Sequence, residues 1–396
     1  MNIKKLIKYF ISGHSPVEIL KYAYTGLGMI FAKIFFGKTS VKRNKIFVMT
    51  FDNSFSCNPK YIVKEILKSE EKFDIVWAVS NKGIPQGFPE EVRLVKRGSP
   101  KMFREMATAK IWIDNALNCV WYGLPKKDNQ FYINTWHGSM GIKKLSGDEK
   151  WMARASRLNS FTDVAVTNSS FEEEVFRNTF WKDTEFLKVG HPRNDILFDE
   201  TEYERIKKEI KALLSIPDGT KILLYAPTFR NSADTSCFDI DYEKLKESLE
   251  EKTHEKWAVL VRLHFKDRNA KSEIQFNEWL KDASFIDDMQ ELLCCADAGI
   301  TDYSSWAYDF ILTGKPLFIY ATDIDEYNTE KGFYYPLETT PFVISRNNDE
   351  LVESILNFNA KIYKENVKKF LAEKGCYEDG KASEKILSKI KEVCSL

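Results

Sequence analysis

Gln130-Phe131-Tyr132-Ile133-Asn134-Thr135-Trp136-His137-Gly138 is the stretch on which the reading of this chain turns. An apolar run ends in polar residues, a histidine and a glycine, the pattern of a buried strand reaching the edge of its sheet. Gly141-Ile142-Lys143-Lys144-Leu145 follows, read as a turn into a helix with two lysines in its first turn. In an open α/β sheet, ligands gather at the carboxyl ends of strands, where helix N-termini also converge. A histidine there can exchange a proton near neutral pH. His137 is one of only five histidines in 396 residues.

Two further strand ends carry the same kind of chemistry. Trp257-Ala258-Val259-Leu260-Val261-Arg262-Leu263-His264 closes on an arginine and a histidine. Ala298-Gly299-Ile300-Thr301-Asp302-Tyr303-Ser304-Ser305 stops at an acid and hydroxyls before a helix that starts near Trp306. Hydroxyls in that position either cap the helix or, with its free N–H groups, hold a phosphate.

Outward from these points, apolar runs alternate with amphipathic helical patterns. The first set of strands is expected at 46–51, 73–79, 92–95, 111–115, 131–135, 164–167 and 186–189, with helices such as 59–68, 100–107 and 171–179. Gly190-His191-Pro192-Arg193-Asn194-Asp195 interrupts the pattern, and a charged helix spans 200–214. The second set is expected at 222–226, 259–263, 285–286, 299–301, 316–320 and 342–345, with helices at 242–251, 289–296 and 306–312. Such alternation specifies parallel, doubly wound sheets. The fold class is therefore α/β and GT-B-like: two Rossmann-like domains facing a cleft, preceded by a basic amphipathic segment. The expected divisions are 1–44, 45–205, 206–366 and a helical tail at 367–396.

The 58 basic and 58 acidic residues balance, but nine of the basic and one of the acidic side chains lie in residues 1–45. The rest is net acidic, which argues against nucleic acid as a partner. Residues 1–44 mix lysines with Ile, Leu, Phe and Tyr, with no apolar run long enough to span a bilayer. That pattern suits a helix lying in the interface of an anionic membrane. Seven cysteines, including Cys294-Cys295 and no C-x-x-C pair, fit a reducing compartment without structural zinc.

Taken in order, several blocks resemble one family. They are Thr135-Trp136-His137-Gly138 with Lys143-Lys144, Pro192-Arg193-Asn194-Asp195, Tyr225-Ala226-Pro227-Thr228-Phe229-Arg230, Arg262-Leu263-His264, Thr301-Asp302-Tyr303-Ser304-Ser305 and Lys315-Pro316. Asn58-Pro59-Lys60-Tyr61 and Lys331-Gly332-Phe333-Tyr334 add to the likeness. Over roughly residues 46–340 the chain resembles the CDP-glycerol glycerophosphotransferases of teichoic acid synthesis.

The resemblance implies a peripheral enzyme on the cytoplasmic face of the membrane, moving glycerol phosphate from CDP-glycerol to a lipid-linked saccharide acceptor and releasing CMP. It places catalytic roles on His137, as general base, and on His264, as a donor-phosphate contact. Substrate-binding roles fall on Trp136, Gly138, Lys143, Arg193, Asp195, Pro227, Thr228, Arg230, Arg262, Thr301, Asp302, Ser304 and Ser305. No metal site is assigned and no cofactor is firmly implied, with Mg2+ admitted only as a contact of Asp302. The oligomeric state stays open. Ser139-Met140 stands where the family has threonine-proline, and His191 where it has an aromatic residue, so no catalytic role is carried onto His191. The length matches short members that add one or a few units. CDP-ribitol or a nucleotide sugar as donor, and a non-catalytic scaffold, remain rival readings.

Overall fold

The computed structural model describes residues 30, 34–51, 54–80, 87–122, 124–145, 149–228, 239–263 and 274–395. Two sheets organise it, parallel throughout. The first runs β1 (Lys42–Met49), β2 (Asp74–Val79), β3 (Arg93–Lys96), β4 (Ala109–Asp114), β5 (Phe131–Asn134), β6 (Val164–Thr167) and β7 (Glu185–Lys188), in the order β3-β2-β1-β4-β5-β6-β7. The second contains β8 (Lys221–Tyr225), β9 (Trp257–Val261), β10 (Leu280–Asp282), β11 (Ala298–Thr301), β12 (Leu317–Tyr320) and β13 (Val343–Ser345), in the order β10-β9-β8-β11-β12-β13. Each sheet reverses its winding once, between β1 and β4 and between β8 and β11, which opens a crevice at the carboxyl ends.

The strands read as solid apolar runs because helices cover both faces of a parallel sheet. Ile46, Phe47, Val48 and Met49 are all wholly buried, as are Ile222, Leu223 and Leu224. Each such side chain contributes on the order of 1.5–3 kcal/mol.

Three expectations shift. The third strand of the second sheet is Leu280–Asp282, not 285–286. Asn277 Oδ1 accepts from the N–H groups of Trp279 and Leu280 and starts the strand. Asp282 Oδ1 accepts from Ser284 N–H and ends it, leaving Phe285 57% exposed in the loop beyond. Secondly, Lys143-Lys144 lies on no helix but in an extended segment bridged to Phe333. Thirdly, the tail divides. Helix α1 (Ala360–Glu373) buries Tyr363, Val367 and Phe370 in the core of the second domain. Helix α2 (Ala382–Cys394) instead crosses back and sets Ile386, Leu387, Ile390 and Cys394 against Ile46, Val48 and Ile62 of the first. The i, i+4 spacing of those residues gives α2 one apolar stripe, and that stripe is its docking face.

Most of the basic amphipathic segment lies outside the described residues. Where it enters them, Ile30, Ile34 and Phe35 are exposed. Among the described residues no helix is long and apolar enough to cross a membrane.

Candidate active site

Strand β5 ends in a strained turn. Trp136 has φ of +50°, a left-handed conformation uncommon for any residue with a Cβ. Hydrogen bonds hold it there. Trp136 N–H donates to Asn134 Oδ1 at 2.9 Å, and Asn58 Nδ2 donates to the carbonyls of Thr135 and Trp136 at 3.2 and 3.1 Å. The indole is buried against Phe180 and Trp181. A Cβ on Gly138 would lie 3.2 Å from Trp136 Nε1, closer than ordinary contact, so glycine suits the next bend.

This turn presents His137, whose ring centroid is 4.7 Å from that of Phe51 and 4.7 Å from that of Trp136. Its Nδ1 is 2.6 Å from the carbonyl oxygen of Asn115. A carbonyl can only accept, so Nδ1 carries the proton of the neutral ring and the lone pair is on Nε2.

His137, Ser139, Lys143, Glu172, Ser305 and Tyr334 are among the residues lining a cavity of about 160 Å3. The first four belong to the first domain and the last two to the second. Loop 140–145 and residues 332–335 hold the two walls together. Lys144 N–H donates to Gly332 O at 3.0 Å, Tyr334 N–H to Ile142 O at 2.8 Å, and Tyr335 Oη to Met140 O at 2.6 Å. A groove of about 380 Å3 lined by Pro341, Glu353 and Asn366 lies on the second domain, away from any of these strand ends.

In the second domain, Thr301 Oγ1 and Trp306 Nε1 each donate to Ala226 O at 2.8 Å. Asp302 Oδ1 accepts from the N–H groups of Thr228 and Tyr303 at 2.8 and 2.6 Å. Thr301 and Asp302 thus fasten the Pro227-Thr228 turn to the neighbouring strand end. Ser305 makes no side-chain cap to the short helix that follows, so plain capping does not account for it, and its side chain borders the cavity. The half-buried Arg262 donates from Nε and Nη2 to the carbonyls of Ile286 and Asp287 at 3.2 and 2.9 Å. His264 and Arg230 lie outside the described residues. Among the described residues no group of His, Cys, Asp or Glu is arranged to hold a metal ion.

The family description CDP-Glycerol:Poly(glycerophosphate) glycerophosphotransferase matches residues 30–392. The chain belongs to that family. It is 30% identical over 365 residues to a teichoic acid poly(glycerol phosphate) polymerase of Bacillus spizizenii, covering 87% of this chain and 91% of the relative. It is likewise 30% identical over 357 residues to the Staphylococcus epidermidis protein of that name, covering 84% of this chain but only 48% of the relative. The chain therefore spans about half the length of that curated relative. The solved structure of the wall teichoic acid polymerase TagF superposes with a TM-score of 0.82 at 26% identity, covering 100% of this chain and 99% of that one. TagF has also been solved after soaking with CDPG. The fold is GT-B-like.

Two family-motif residues to which substrate contacts were assigned are held by partners within the protein. Arg193 is 4% exposed, and its Nε donates to Asp309 Oδ2 at 2.9 Å. Its Nη2 reaches Asp309 Oδ1 at 3.3 Å and also the carbonyl of Gly138. Burial, the largest single influence, would lower its pKa, but the charges of and hydrogen bonds to Asp309 and Cys57 together raise it above the usual arginine value. Arg193 ties the turn that carries His137 to the second domain. Asp195 accepts from Ala382 and Ser383 N–H at 2.9 and 2.7 Å, holding the start of α2. His191 is wholly buried, its Nε2 3.0 Å from Glu172 Oε2.

The sequence reading missed Asn58, Asn115, Asp309 and Tyr334 as builders of the site, and Ser139 as part of its wall. Asn58 and Tyr334 stood in quoted motifs. Asn115, which presents only its carbonyl to His137, left no signal.

Proposed function

We propose that the protein transfers glycerol phosphate from CDP-glycerol to a hydroxyl of a membrane lipid-linked saccharide, releasing CMP, in the synthesis of teichoic acid or a related surface polymer. The observation that carries this reading is His137, fixed by Asn115 with its lone pair on Nε2, at an inter-domain cavity that also holds Ser305 and Lys143. The acceptor hydroxyl attacks the β-phosphorus and gives its proton to His137 Nε2. The bond from that phosphorus to the bridging oxygen breaks, and the electron pair leaves on CMP. Donors aimed at the phosphate oxygens stabilise the charge that develops. Lys143 and Ser305 do so from the cavity wall, and Arg262 and His264 hold the departing nucleotide.

The test is incubation of purified protein with radiolabelled CDP-glycerol, CDP-ribitol and UDP-sugars plus a lipid-linked acceptor. Label transfer from CDP-glycerol, with CMP formed in equal amount, is expected. Transfer only from CDP-ribitol or a UDP-sugar overturns the donor assignment. Single-unit transfer rests on length alone, and the Bacillus spizizenii relative, matched over 91% of its length, bears the polymerase name. Product length in the same assay decides it.

A second measurement concerns the phosphate subsite. A hydrogen bond to a charged group contributes about 1.5–3 kcal/mol, so Ser304→Ala/Ser305→Ala is expected to weaken CDP-glycerol binding about tenfold or more. Calorimetry showing unchanged affinity removes the serines from the site.

The protein works as a peripheral enzyme at the inner membrane surface, through residues 1–44. Full-length protein is expected to sediment with anionic liposomes and to release as salt rises, because screening weakens the lysine contribution. Equal sedimentation of a chain lacking residues 1–40 places the contact elsewhere.

A further inference from the structure

Ser139 follows the catalytic turn by two residues, and a chain of hydrogen bonds settles which way its hydroxyl proton points. The chain starts at the end of β6, the strand beside β5. Glu172 N–H donates to Ser169 Oγ at 3.1 Å, and Ser169 Oγ donates to Asn168 Oδ1 at 3.1 Å. The Asn168 amide turns its Nδ2 toward Ser139 Oγ at 2.9 Å. An amide nitrogen only donates. Ser139 therefore accepts from Asn168, and its own proton is left for another acceptor. The structure records no acceptor for it among the described residues, and Ser139 lines the cavity that contains His137.

Asn168 can impose this because it is itself immobilised. It is wholly buried, and its N–H donates to Glu172 Oε2 at 2.9 Å. The same oxygen accepts from Thr167 Oγ1 at 3.1 Å and faces His191 Nε2 at 3.0 Å. Its carbonyl accepts from Tyr377 N–H at 2.7 Å. Glu172, the one carboxylate among the described residues of the cavity wall, gives Oε2 to these partners, while its Oε1 is buried without a hydrogen-bond partner among the described residues. Ser139, Lys143 and Ser305 each bring a donor to the same wall. A set of donors with a base at its edge fits an anionic oxygen.

We propose that Ser139 donates its hydroxyl hydrogen bond to a non-bridging oxygen of the phosphoryl group being transferred, and that Asn168 is the positioning residue that orients it. This rests on the donor assignment proposed above and adds a residue to it. Preorganisation is the physical content: a hydroxyl whose rotor is already set loses no orientation as charge builds on the phosphate oxygens.

The test compares kcat and KM for CDP-glycerol in wild type, Ser139→Ala, Ser139→Thr and Asn168→Asp, with a melting curve for each. Ser139→Ala is expected to lower kcat about tenfold or more, with little change in melting. Ser139→Thr, which keeps the hydroxyl, recovers most of the loss. Asn168→Asp replaces the donor with an acceptor and draws the Ser139 proton to itself. It is expected to cost as much as Ser139→Ala, and combining the two should cost no more than either. If Asn168→Asp fails to fold, the alanine and threonine variants decide alone. An active wild type with Ser139→Ala within threefold of it overturns the role of Ser139 and leaves the donor assignment standing. A wild type that does not turn over CDP-glycerol overturns the donor assignment and this inference with it.

Discussion

Replacing His137 by alanine is expected to lower turnover of CDP-glycerol by about 10²–10⁴-fold, the usual contribution of a positioned general base. The fold should survive. The ring packs against Phe51 and Trp136 at the rim of a cavity, with Nδ1 bonded to Asn115 O. The turn that carries it is held by Asn58, Asn134 and Arg193, none of which needs the imidazole. Rates and thermal melting of His137→Ala, measured on the same preparation, separate the possibilities. A loss of activity with an unchanged melting curve is the expected result. Activity within threefold of wild type would mean that the proton goes elsewhere. His264→Ala is expected to be nearly inactive as well, on the sequence argument that its strand end faces the departing phosphate. If it too keeps its activity, His264 has no part in the transfer; absence of turnover in the wild type is what would favour the scaffold reading.

The strands were legible from sequence because a parallel sheet covered on both faces writes its strands as unbroken apolar runs. The single misplaced strand shows the limit of that rule. Leu280–Asp282 is a short edge strand of only three residues, and the apolar pair Phe285-Ile286 nearby was the louder signal. The placement of His137 just past a strand end was equally legible, since the apolar run stops there. What could not be read were pairings made across the fold. The motif containing Arg193 and Asp195 announced itself, yet the partners that define their roles lie 116 and 187 residues away. Nothing local distinguishes an arginine that meets a phosphate from one that meets Asp309. The left-handed Trp136 was invisible for a related reason: its strain is tolerated only because Asn58 and the aromatic cluster hold it in place.

The largest stability effect is expected at that arginine. Arg193 and Asp309 are both almost completely buried, and removing one member of such a pair leaves an uncompensated charge at a cost of about 3–5 kcal/mol. Asp309→Ala should fall at the upper end. Asp309 also accepts from Asn194 Nδ2 at 3.1 Å and Gln290 Nε2 at 3.0 Å, so three buried side chains each lose one of their acceptors together. Arg193→Met leaves Asp309 those two amides and should cost somewhat less. Replacing both, Arg193→Met with Asp309→Leu, removes both charges and should recover a large part of the loss, because apolar groups often substitute for a buried ion pair without penalty. Denaturant unfolding of the three variants measures this directly. The pair also connects chemistry to packing, since Arg193 Nη2 donates to the carbonyl of Gly138, next to His137. Activity in Arg193→Met is therefore expected to fall through a looser catalytic turn, in step with stability. A variant that keeps the wild-type unfolding curve and loses only its affinity for CDP-glycerol would return Arg193 to the substrate.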